Sequence, residues 1–61
     1  MTREELTREV AAALDERLLV EDPPTLPGAT NVLEDLTGTF VVVRQESGPT
    51  FVVEVREEVP A

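Results

Sequence analysis

Residues 39–56 read TFVVVRQESGPTFVVEVR, and the way this stretch pairs with itself decides the fold. Two runs dense in Val, Phe and Thr, Thr39–Gln45 and Thr50–Arg56, flank the turn residues Glu46-Ser47-Gly48-Pro49. β-Branched and aromatic side chains fit a pleated, half-buried surface, whereas Gly and Pro bend the chain, so the pattern predicts a β-hairpin. A two-residue Ser47-Gly48 loop and a four-residue Glu46–Pro49 loop both pair Val42 with Val53. Phe40 then faces Val55, and Arg44 faces Phe51. Alternate residues share a face, so Phe40, Val42, Phe51, Val53 and Val55 are expected to form one apolar face. The opposite face then carries Val41, Val43 and Val52 with Thr39, Glu54 and Arg56. Of these, Val41, Val43, Val52, Glu54 and Arg56 make up the candidate interface.

The first of the two strands is apolar on both sides, the mark of a strand central in its sheet. Its second neighbour comes either from Asn31–Leu36 of the same chain or from another subunit. The segment Asn31–Thr37 has two readings. Asn31 and Glu34 can cap one helical turn carrying Val32, Leu33 and Leu36, closed by Gly38. The same residues can instead run extended and turn at Thr37-Gly38 into the next strand, and this reading is slightly favoured.

Upstream, Thr2 and Glu5 stand at capping-box spacing, where each side chain satisfies the other's backbone N–H. Leu6, Val10, Ala13 and Leu14 recur at helical period, with Glu4, Arg8, Glu9, Asp15 and Glu16 on the far side. A helix is therefore expected within residues 1–20, its apolar stripe covering the hairpin's apolar face. Leu18-Leu19-Val20 either finishes the helix or begins an extended segment, and Pro23 and Pro24 stop the helix beyond it. Residues 21–30 form a proline-rich connector. Pro24-Thr25-Leu26-Pro27 has the spacing of polyproline ligands, but a stiff linker accounts for it as well. Residues 31–58 are the β-rich part, and the tail Glu57–Ala61 is expected to fray. The fold class is thus α+β, one small domain with an N-terminal helix on an antiparallel sheet.

Composition narrows the function. The 61 residues carry 13 acidic and five basic side chains, a net charge of −8, with no His and no Cys. Such a surface repels phosphate backbones and anionic lipids, so neither direct nucleic-acid binding nor membrane binding is expected. It attracts basic proteins, and the acidic helix residues Glu4, Glu9, Asp15 and Glu16 are the candidate acidic surface. Solubility alone is the competing account of the charge.

Catalysis at neutral pH relies chiefly on His, Cys, Lys, Tyr or an activated Ser. This chain has none of the first four, and its one serine, Ser47, sits in the predicted turn. No metal site or cofactor is expected, because thiolates and imidazoles are absent and the adjacent acidic pairs lack calcium-loop spacing. The N-terminus lacks the apolar run of a signal peptide, which makes a cytoplasmic location the expectation.

The reading that follows is a non-enzymatic protein-interaction module with a basic partner, of the inhibitor, antitoxin or nucleic-acid-mimic kind. An assembly subunit joined through its sheet is the alternative, and a minimal carboxylate-dependent enzyme is the third. Without disulfides or metals to reinforce so small a core, a homo-oligomer is also expected.

Overall fold

The computed structural model describes residues 1–59, and Pro60 and Ala61, the end of the tail, lie outside the described residues. The chain forms a helix, α1, over Arg3–Asp15, continued by a π-helical turn over Glu16–Val20. Three strands follow: β1 (Ala29–Glu34), β2 (Phe40–Gln45) and β3 (Phe51–Glu54). They form one antiparallel sheet in the order β1-β2-β3, with β2 at its centre. The α+β architecture and the hairpin therefore stand as read from the sequence.

The helix starts where its capping residues place it. Glu5 N–H donates to Thr2 Oγ1 at 3.1 Å, and Thr2 N–H donates to Glu5 Oε1 at 3.3 Å. Two donors that the first turn leaves unpaired are thereby satisfied. Leu18-Leu19-Val20 finishes the helix, and Glu21 N–H closes the wider turn on Glu16 O at 2.8 Å. The connector is tied back by Thr25 N–H on Arg17 O at 2.9 Å. It gives way to β1 at Ala29, two residues before the expected boundary.

Between Asn31 and Gly38 the extended reading prevails over the helical turn. Asn31, Val32, Leu33 and Glu34 pair with Arg44, Val43, Val42 and Val41. Of the two neighbours open to β2, the segment of the same chain is therefore the one that forms. Asp35 builds the connection between the two strands. Its Oδ1 accepts from Thr39 N–H at 2.9 Å and Phe40 N–H at 2.8 Å, and its Oδ2 accepts from the Thr37 hydroxyl and backbone N–H. Gly38 completes the bend at φ +69°, a left-handed conformation in which a side chain is strained.

The hairpin register departs from the expected one by one residue. Val43 pairs with Phe51, Val42 with Val52, Val41 with Val53 and Phe40 with Glu54. The reason lies in the turn. Pro49 has no N–H with which to close a two-residue Ser47-Gly48 loop on Glu46. Instead a three-residue loop forms, Gly48 takes φ +106°, and the Gln45 side-chain amide donates to Pro49 O at 2.8 Å. An odd loop length shifts the pairing by one, and a one-residue shift exchanges the faces of a strand.

The interior follows from that exchange. Val41 is completely buried on the helix-facing side; half-buried Val43 and exposed Val53 and Phe51 share that face by register. Phe40 and Val42, expected inside, lie on the opposite face. The helix is correspondingly displaced from the expected stripe. Thr7 is its fully buried residue, Val10, Ala11, Leu14 and Leu18 are half-buried, and Leu6 and Ala13 are exposed. The Thr7 hydroxyl reconciles its polarity with burial, lying 2.8 Å from both Arg3 O and Gly38 O. Helix and π-turn lie over β1 and α1 reaches β2, but no Cα of β3 comes within 8 Å of a Cα in either helical segment. The helix is therefore seated on β1 and β2 rather than on β3, while Leu6 of the expected stripe and Val55 line one cleft.

Candidate interaction surface

With the helix on one side and no other element among the described residues on the other, the sheet keeps a bare face. Strand alternation and register bring Leu33, Phe40, Val42 and Val52 together there, with Asn31, Arg44 and Glu54 among them. Phe40 and Val42 are half-buried by their neighbours, while Leu33 is 41% and Val52 57% exposed. The candidate interface read from sequence is thus divided. Val52 and Glu54 lie on the bare face as expected. Val41 and Val43 do not: they face the helix, and Phe40 and Val42 take their places. Arg56 lies beyond β3 and is exposed. Pro49 argues against the two-residue loop in the sequence, whereas nothing in the sequence separates the four-residue loop from the three-residue one that forms.

β3 is the second unusual feature. All four of its residues are exposed, Phe51 and Val52 both at 57%. Val55 N–H donates to Thr39 O at 2.8 Å, which fixes the phase of the ladder. Backbone groups of residues 51, 53 and 55 point to β2, so those of Val52 and Glu54 point outward along a free edge. Natural sheets protect such edges with charge, proline or a covering element. Here Pro49 precedes the strand and Glu54 ends it, with the three apolar residues between them.

The four candidate acidic residues do not gather into one patch. Glu9 and Glu16 lie on the solvent side of the helix, whereas Glu4 and Asp15 flank its buried stripe on the opposite side. Glu4 packs beside Gly38, and its carboxylate meets Arg3 at 3.1 Å. Its own backbone N–H, followed by the Arg3 contact, holds its carboxyl below the ordinary value. Arg17 pairs with Glu21 at 3.5 Å. These exposed pairs contribute little to stability, and they leave the chain's negative charge spread over its surface.

No protein-family model, no curated protein and no solved structure matches this chain.

The chemistry of the surface is therefore read from its own residues. Among the described residues no three acidic side chains converge as metal ligands, and no helix is long and apolar enough to cross a membrane. The most apolar cleft, about 120 Å³, lies between Leu18, Leu26, Ala29, Val43 and Phe51, well below the several hundred cubic ångströms of a small-molecule pocket. Two larger hollows, about 420 and 390 Å³, open along the charged tail and the N-terminus and are lined by only four or five residues each.

Asp35 has the strongest displaced acidity. The Thr37 hydroxyl, then the Phe40, Thr39 and Thr37 backbone N–H groups, hold its carboxyl far below the ordinary 3.8. Every donor belongs to the turn itself, which makes the carboxylate a structural brace. A carboxyl depressed in the folded state stabilises fully above its unfolded value and loses that contribution as pH falls below it. Asp35→Asn should therefore melt lower than the parent at neutral pH. The difference should shrink as pH drops from about 4 toward 2. Thermal melts across this range check it, and parallel pH profiles for the two proteins would refute the brace.

Proposed function

We propose that this chain is a non-enzymatic protein-interaction module that binds through its sheet. The observation that carries the reading is the bare apolar face formed by Leu33, Phe40, Val42 and Val52 on a sheet with a helix on its other side only. Antiparallel sheets can leave one face to water, but that face is then ordinarily polar. A contiguous apolar face rimmed by Asn31, Arg44 and Glu54 is the pattern of a surface that a protein covers. The net charge of −8 selects the kind of protein. It repels nucleic acid and steers basic surfaces toward the chain over a range set by ionic strength.

A photo-activated crosslinking residue at Leu33, compared with one at Ala13 on the outer helix surface, tests the reading in native cell extract. Position 33 should yield a discrete protein adduct that position 13 does not, and the adduct should weaken with added salt. No adduct at position 33, or the same adducts at both, would remove the bare face as a binding surface.

A further inference from the structure

We infer that β3 pairs with β3 of a second copy of this chain, giving a twofold dimer with one continuous six-stranded sheet. The inference deepens the proposed function and rests on it in one respect: the dimer doubles the bare face offered to the partner.

The first ground is area. The chain exposes 4806 Å², about 900 Å² more than the roughly 3,900 Å² expected of a compact monomer of 6.7 kDa. The exposed tail Arg56–Val59 supplies part of this excess. β3, whose four residues are all exposed, and the bare face add to it. An excess of this size is comparable to the roughly 800 Å² that each partner contributes to a standard interface.

The second ground is how the free edge matches itself. The outward N–H and C=O groups of Val52 and Glu54 can meet only even-numbered residues of an antiparallel copy. When the twofold axis passes through Val53, Val52 pairs with the copy's Glu54 and Glu54 with its Val52. Four main-chain hydrogen bonds result, and every outward donor and acceptor of these two residues is used. On the helix side, Val53 then faces Val53 and Phe51 faces Val55, all apolar. A shift of the axis to Glu54 would instead set two carboxylates opposite each other, which is destabilising. Thus β3 has a self-complementary register in which no like charges face one another. Of its four residues only Glu54 carries a charge, and Phe51, Val52 and Val53 leave the edge apolar.

An axis through Val53, perpendicular to the sheet, keeps both helices on one side. It sets the two bare faces side by side on the other. Each copy carries −8, so the dimer should tighten as salt screens repulsion, opposite to the response of a basic partner.

Sedimentation of the purified full chain from low to high micromolar concentration reads the dimer. Two variants read its geometry. Val53 sits opposite itself at a non-hydrogen-bonded position, with Cα atoms about 4.5 Å apart, inside disulfide range. Val53→Cys should therefore oxidise to a covalent dimer, while Ser47→Cys in the exposed turn should remain mostly monomeric.

Because the chain is short enough for chemical synthesis, an N-methyl group can replace the Val52 N–H without touching the ladder to β2. This should raise the dimer dissociation constant about tenfold or more. Circular dichroism confirms that each variant folds, and if Val53→Cys does not, the N-methyl chain carries the test. A parent that stays monomeric at high micromolar concentration overturns the inference. So does a dimer insensitive to N-methylation, or equal crosslinking at positions 47 and 53. None of these outcomes touches the Leu33 adduct, which judges the bare face separately.

Discussion

Val41→Asp should leave the chain unfolded, whereas Val42→Asp should leave it folded. Val41 is completely buried beneath the helix. A carboxylate there has no partner among its valine neighbours, and an uncompensated buried charge costs on the order of 3–5 kcal/mol. A domain of this length has a total stability on the order of 3–9 kcal/mol. The adjacent Val42 side chain points to the bare face, where water reaches a charge, and its replacement should cost about 1 kcal/mol. Far-UV circular dichroism with urea titration of both variants gives the answer. The hairpin register with an even loop forecasts the reverse outcome, so the pair of substitutions tests the register itself.

Thr7→Val should lower stability by about 1–3 kcal/mol although it preserves shape and removes a polar group from the interior. The Thr7 hydroxyl is 2.8 Å from Gly38 O, 31 residues away in sequence, and is completely buried. Valine fills the space but leaves the Gly38 carbonyl without this donor, and a buried acceptor that loses its partner incurs its full desolvation cost. Gly38 is itself buried and lies against Glu4, where a Cβ would come within 2.8 Å of Glu4 Cγ. The turn is already packed against the helix. A urea midpoint equal to the parent's would show the hydroxyl to be dispensable.

These two residues also mark what was legible from sequence. Local signals read correctly: the Thr2–Glu5 capping box places the helix start, and the density of Val, Phe and Thr places β2 and β3. Both depend on side chains meeting backbone a few residues away. Thr7 was illegible because its partner is remote in sequence, and a threonine within a helix gives no sign of burial. The face assignment of β2 was illegible for a different reason. Valine on both sides of the strand satisfies either orientation, so the decision passes to the loop. The even loops admit Arg44 to the helix side, and the odd loop keeps it out. The face assignments inherited that ambiguity: Val52 and Glu54 lie away from the helix as expected, whereas Val41 and Val43 face it.

The three-residue turn between β2 and β3 has an evolutionary consequence. It sets the parity of the hairpin. β2 is held by its register with β1, so gain or loss of one turn residue turns over β3 and exchanges Val52 and Glu54 for Phe51 and Val53 on the bare face. A lineage can thus renew the β3 part of the bare face through one such length change. Point substitutions reach the same result only one side chain at a time.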